Sequence, residues 1–90
     1  MTNDIAYDII ETGGELMAGV KKIIEKMKNQ PSGIRFEEAE KVLNYYGYFQ
    51  VRAKGSHRHF RNADGDLTTV QYNNPLGKAY IKDILARIGQ

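Results

Sequence analysis

The sequence predicts an α+β fold of two layers, with helices covering one face of a three-stranded antiparallel sheet. Three observations carry this prediction. One helical apolar stripe recurs three times along the chain. Between the second and third stripes the hydrophobic period drops to two. Within that stretch, Gly55-Ser56 and Asp64-Gly65 supply turns short enough for hairpins.

The first stripe is Val20, Ile23, Ile24 and Met27, and its helix ends before the breaker cluster Asn29-Gln30-Pro31-Ser32-Gly33. The second is Ala39, Val42, Leu43 and Tyr46. Its helix begins near Phe36, places Glu37, Glu38 and Glu40 near the positive end of the dipole, and stops at Gly47. The period then becomes two. Alternation from Tyr48 to Lys54 puts Phe49, Val51 and Ala53 on one face and Tyr48, Gln50, Arg52 and Lys54 on the other. A second strand runs from His57 to about Asn62. A third, Leu67 to Tyr72, turns Thr68, Val70 and Tyr72 to one side. The last stripe is Ile81, Ile84, Leu85 and Ile88. Asn74-Pro75 reads as its N-cap and first helical residue, unless Gly77 delays the regular helix to about Lys78.

Charge divides the chain unevenly. Residues 1–16 hold Asp4, Asp8, Glu11 and Glu15 and no Lys or Arg. Ile5 and Ile9 lie one helical turn apart, but Thr12-Gly13-Gly14 interrupts the pattern. We read 1–16 as an acidic arm, mobile or loosely docked, and 17–90 as one domain whose extra first helix spans 17–30. Met17 also fits an alternative start. All 13 basic side chains of the chain lie in 17–90. A basic body favours polyanions, because phosphate contacts release condensed counterions.

The chain has no cysteine, which excludes a disulfide framework and a thiolate metal site and agrees with a reducing compartment. No apolar run approaches the length of a membrane span. Met1 to Glu15 lacks the basic start and apolar stretch of a signal peptide, so the expected location is the cytoplasm.

The segment Lys54-Gly55-Ser56-His57-Arg58-His59-Phe60-Arg61 carries the chemistry. It holds both histidines and no acidic residue. Phe60 is the natural core residue, so alternation turns His57, His59 and Arg61 away from the core, with Arg58 on the side of Phe60. Cleaving RNA without a metal needs a base for the 2′-hydroxyl, an acid for the leaving 5′-oxygen and positive charge on the phosphorane. An imidazole changes protonation near neutral pH and fits one of the proton-transfer roles. Arg61, Lys54 or the amides of the Gly55-Ser56 turn fit the electrostatic one. The same spacing also fits a plain polar sheet face closed by a common turn. A metal site built from His57, His59 and Asp64 or Asp66 matches no familiar ligand spacing. Tyr45, Tyr46 and Tyr48 read as core or its rim. Lys21, Lys22, Lys26 and Lys28 read as a solvated face. Lys78, Lys82 and Arg87 do too, unless their helix packs beside the hairpin.

These residues resemble the HicA family of bacterial type II toxins, small mRNA interferases. The likeness runs from Phe36 to about Gly89. It rests on Phe36-Glu-Glu-Ala-Glu-Lys-Val-Leu43 with Tyr46-Gly47-Tyr48, on Lys54-Gly55-Ser56-His57 followed by His59-Phe60-Arg61, and on Tyr80-Ile-Lys-Asp-Ile-Leu85. The first helix resembles the extension of a longer branch. The resemblance implies a fold similar to double-stranded-RNA-binding domains, helix–three strands–helix. It implies that His57 is catalytic, that cleavage of mRNA needs no metal or other cofactor, and that a HicB-type antitoxin covers the catalytic surface. It also implies that Lys54, Gly55 and Ser56 position phosphate; His59 on the same strand, and by charge and position Arg61, Lys78 and Lys82, are the further RNA contacts we expect. One stretch departs from the pattern. Many relatives carry a proline and then a second histidine where this chain has Gln71 and Asn73. The second proton-transfer group is therefore open among His59, a tyrosine and a cationic side chain. Two other readings stay in play: a non-catalytic double-stranded-RNA-binding module, and a protein-binding subunit whose basic face docks an acidic partner.

Overall fold

The three apolar stripes become three helices, and the period-two stretch becomes the sheet. The computed structural model describes residues 17–90; the arm read at 1–16 lies outside them. Helix α1 covers 17–29, and a 3-10 turn at Pro31–Gly33 leads into α2, Phe36–Tyr45. Strands β1 (Phe49–Lys54), β2 (His57–Arg61) and β3 (Leu67–Gln71) form an antiparallel meander in the order β1-β2-β3. Helix α3, Lys78–Arg87, closes the fold. This is the expected α+β order, a helix–sheet–helix core preceded by one more helix.

All three helices contribute to one core with the inner face of the sheet. Val20, Ile24 and Met27 of α1 meet Phe36, Ala39, Val42 and Leu43 of α2, Phe60 and Val70 of the sheet, and Ile81 and Ile84 of α3. Tyr46 departs from the stripe that predicted it. Helix α2 ends one residue earlier, so Tyr46 becomes its C-cap, stays exposed, and packs edge-on against Tyr45. Gly47 then takes φ +89, the left-handed conformation that ends the helix. Lys26 is not simply solvated either, since its ammonium joins α1 to Glu38 of α2 at 3.1 Å.

The reading of Asn74-Pro75 as the start of the last helix is corrected. The helix begins at Lys78 after Gly77, the later of the two expected positions. Asn74 serves α2 instead: the Phe36 amide donates to Asn74 Oδ1 at 2.8 Å, beside a Leu76 amide bond to the Ile34 carbonyl at 2.7 Å. Segment 74–76 is thus engaged with 34–36, where the first amides of α2 lack intrahelical acceptors. Asn74→Ala is expected to lower stability by about 1 kcal/mol, as loss of an N-terminal cap does. Urea denaturation checks this through a lower midpoint at unchanged slope.

Strand β1 also departs from strict alternation. Gln50 pairs with Phe60 and Arg52 with His59, so a bulge leaves Val51 without a partner. Beyond the bulge the phase reverses. Arg52 and Lys54 join Phe49 on the face of His57, His59 and Arg61, while Ala53 shares the side of Arg58 and Phe60. The helices cover only the inner face, where Phe60, Thr68 and Val70 are buried. On the outer face Phe49, Arg52, Lys54, His57, Arg61 and Leu67 are exposed.

Candidate active site

The hairpin that presents the histidines is set by its turn. Gly55 takes φ +58, and among the described residues only glycines have positive φ. Glycine first in a two-residue turn is the pattern of a type II′ hairpin, whose twist matches the strands it joins. Both flanks of the turn are tied down. Arg58 Nη1 donates to the Gly55 carbonyl, and its guanidinium lies 5.1 Å from the Tyr72 ring centroid. The Tyr72 amide donates to the Ser56 carbonyl at 2.6 Å, carrying the β2–β3 pairing one step past Gln71. The amides of Gly55 and Ser56 find no acceptor among the described residues and remain free as donors.

The outer face is organised in three cross-strand rows. Lys54, His57 and Gln71 form the row next to the turn. Arg52, His59 and Thr69 form the middle row, and Phe49, Arg61 and Leu67 the far one. None of these nine positions holds Asp or Glu. The two imidazoles differ in what they touch. His59 is half-buried, and its Nδ1 lies 2.7 Å from Thr69 Oγ1, which fixes the ring. His57 is exposed and its side chain makes no hydrogen bond among the described residues, so its imidazole is available to a ligand.

The expected site residues are therefore brought together only in part. Lys54, Gly55, Ser56 and His57 are contiguous at the turn, and His59 follows in the next row. Arg61 shares their face but stands four residues from His57, roughly 13 Å along the strand. Arg52, which alternation puts on the face of Lys54, lies nearer, and Phe49, which alternation puts opposite them, joins that face because of the bulge. Lys78 and Lys82 are exposed on α3, and their side chains make no hydrogen bond or ion pair among the described residues. That helix instead sends the Tyr80 hydroxyl toward Gln71 Oε1 at 3.4 Å. Among the tyrosines, Tyr80 thus comes to the end of the His57 row. A groove lined by Lys21, Ile24, Glu25, Lys28, Tyr46 and Gln90 opens between α1 and the C-terminus and includes no hairpin residue. Among the described residues no three His, Asp or Glu side chains gather as a metal-ligand group. Asp66, one of the carboxylates considered for such a group, is engaged elsewhere.

Asp66 belongs to a network that holds the sheet to α3. Tyr48 Oη donates to Asp66 Oδ2 at 2.6 Å, and Arg87 Nη1 donates to the same oxygen at 2.7 Å. Arg87 Nε reaches Asp83 Oδ2 at 2.7 Å, which also accepts from Thr68 Oγ1 at 2.8 Å. Arg87 is thus a structural tie between the β2–β3 turn and the helix, not part of a solvated face. The hydroxyl of Tyr48 and the guanidinium of Arg87 hold the Asp66 carboxyl below its ordinary value of 3.8. The same bond raises the Tyr48 hydroxyl. A carboxyl depressed in the folded state adds stability above its unfolded pKa and loses it as pH falls through the depressed value. Asp66→Asn is therefore expected to melt below the parent at neutral pH. The gap should narrow as the pH drops through and below 3.8, which melting curves across that window will read.

Among the described residues no helix is long and apolar enough to cross a membrane. No curated protein and no solved structure matches the chain. A family model does: the one described as HicA toxin of bacterial toxin-antitoxin matches residues 36–90, more than half of the chain. The match starts at Phe36, where α2 starts, and includes the whole sheet and α3. The helix–sheet–helix core with its histidine hairpin is the family's domain, α1 precedes it, and the chain belongs to the HicA toxin family.

Proposed function

We propose that this toxin is an mRNA endonuclease in which His57 transfers a proton, acting in the cytoplasm and held inactive by a HicB-type antitoxin. The observation that carries the reading is the imidazole of His57, unpaired among the described residues, on an outer sheet face whose nine strand positions are rich in cations and hold no carboxylate. A ribose 2′-oxygen attacks the adjacent phosphorus and gives its proton to a base, while the bond to the 5′-oxygen breaks and that oxygen takes a proton from an acid. His57 serves as one of these groups. Lys54 beside it and the free amides of Gly55 and Ser56 lie where the phosphorane develops charge. His59, held by Thr69, and the Tyr80 hydroxyl are the candidates for the second proton transfer. Each step has a side-chain route, so the reaction runs without a metal. Lys78 and Lys82 contact the substrate farther along its backbone, and Arg61 does so at the far end of the sheet.

The test is cleavage of messenger RNA by the purified chain, freed of antitoxin, in EDTA. Fragments are expected, and adding the antitoxin should suppress them. Salt-dependent RNA binding without any cleavage would instead establish the double-stranded-RNA-binding module that the same helix–sheet–helix order supports. Tight association with an acidic partner and no RNA affinity would establish the protein-binding subunit.

A further inference from the structure

We infer that the far end of the outer sheet face is a stacking platform for a base of single-stranded RNA, with Phe49 as its ring and Arg61 as its cationic neighbour. This rests on the nuclease reading for the identity of the ligand and adds a residue that sets where the strand lies. Of the three phenylalanines, Phe36 and Phe60 are buried at 6% and 0% exposure, while Phe49 is 56% exposed. Its exposure is built into the register. Phe49 pairs with Arg61, and Arg61 with Leu67, itself 49% exposed. Directly opposed side chains on one sheet face stand about 5 Å apart at Cβ, so the ring and the guanidinium are immediate neighbours. The bulge adds Val51, also exposed, and swings Arg52 onto the same face.

An apolar ring left in water on a sheet calls for a ligand when it sits in a patch with two other exposed apolar side chains. The charges choose the ligand. The core of a protein–protein contact is depleted of charge, whereas here every apolar side chain has a cation in its row or beside it, none of the nine positions of the face is Asp or Glu, and Asp66, next to Leu67, is paired with Arg87. A flat π-face beside a guanidinium suits a nucleobase, with Arg52, Lys54 and Arg61 left for the phosphates. The platform and His57 are separated by about 13 Å along β2. A short extended strand then spans both, its scissile phosphate at the turn and a base a few nucleotides away on Phe49. Preference for particular bases would therefore be read away from the cleaved bond.

The test uses the full chain carrying His57→Ala, so that binding is measured apart from cleavage. The probe is a short, fluorescently labelled oligoadenylate that forms no duplex, followed by anisotropy at moderate salt. Phe49→Ala is expected to weaken binding by roughly tenfold or more, the size of one lost stack. Phe49→Tyr should retain it, and the ring's exposure predicts a melting curve like the parent's. Replacing the adenines by abasic sites should remove the difference between the Phe49→Ala protein and its parent. Equal affinity of the Phe49→Ala and parent proteins for the oligoadenylate overturns the platform. So does a loss of antitoxin binding with RNA affinity intact, which would make the patch a protein contact. Neither result touches the nuclease reading, which stands or falls on cleavage by the protein with His57 present.

Discussion

Replacing His57 by alanine is expected to lower mRNA cleavage by about 10²–10⁴-fold, the usual contribution of a positioned acid or base. The imidazole is exposed and bonded to nothing among the described residues, so its removal leaves no buried group unsatisfied. Stability should stay within about 0.5 kcal/mol of the parent, as for a surface position away from packing. Single-turnover cleavage of one RNA, paired with a thermal melt of each protein, separates chemistry from folding. Undiminished cleavage by the folded variant would remove His57 from the mechanism. His59→Ala is the instructive comparison. Its ring is bonded to Thr69 in the sheet, so a loss there mixes chemistry with the ordering of β2 and β3. Thr69→Val, which keeps both imidazoles but frees His59, tells the two contributions apart.

The largest effect on folding is expected at Phe60. Its side chain is fully buried in the middle of the sheet, on the central strand, and its ring centroid lies 6.2 Å from that of Phe36 at the start of α2. Phe60→Ala removes the apolar transfer free energy and leaves a cavity that the sheet and helices cannot close, a loss of about 3–5 kcal/mol. Whole domains are stable by only about 5–15 kcal/mol, so in so small a chain this change takes most of the margin. Urea denaturation by circular dichroism should show a transition moved close to zero denaturant. A loss under about 1 kcal/mol would mean that Phe60 does not join the sheet to the helices. The residue also matters to the site. It lies between His59 and Arg61, and its burial fixes the strand phase that sends both of them outward.

Much of this was legible in the chain itself. The stripes at Val20–Met27, Ala39–Leu43 and Ile81–Ile88 marked the helices, because burial against a sheet demands apolar residues at helical spacing. The short turns at Gly55-Ser56 and Asp64-Gly65 marked the hairpins, because few residues reverse a chain so tightly. The outward face of His57 followed from Phe60 alone. The errors fell where a local pattern had a distant competitor. Asn74 next to Pro75 has the form of a helix start, yet its side chain caps α2 across a separation of 38 residues. Arg87 has the spacing of a solvated position, yet Asp66 and Asp83 reach it from the β2–β3 turn and from its own helix.

The sequence by itself determined the class of fold, the order of its elements, the family, and the strand face on which the histidines stand. All of these depend on local periodicity or on contiguous motifs, and each is written within a few residues. Tertiary structure alone decided which apolar side chain of β1 shares that face. The bulge at Val51 reverses the phase of β1 and puts Phe49 on the face of Arg52, Lys54 and the histidines, and a register shift is a property of two paired strands that neither strand encodes alone. It also decided which imidazole is free, since Thr69, on another strand, holds His59 and leaves His57 open.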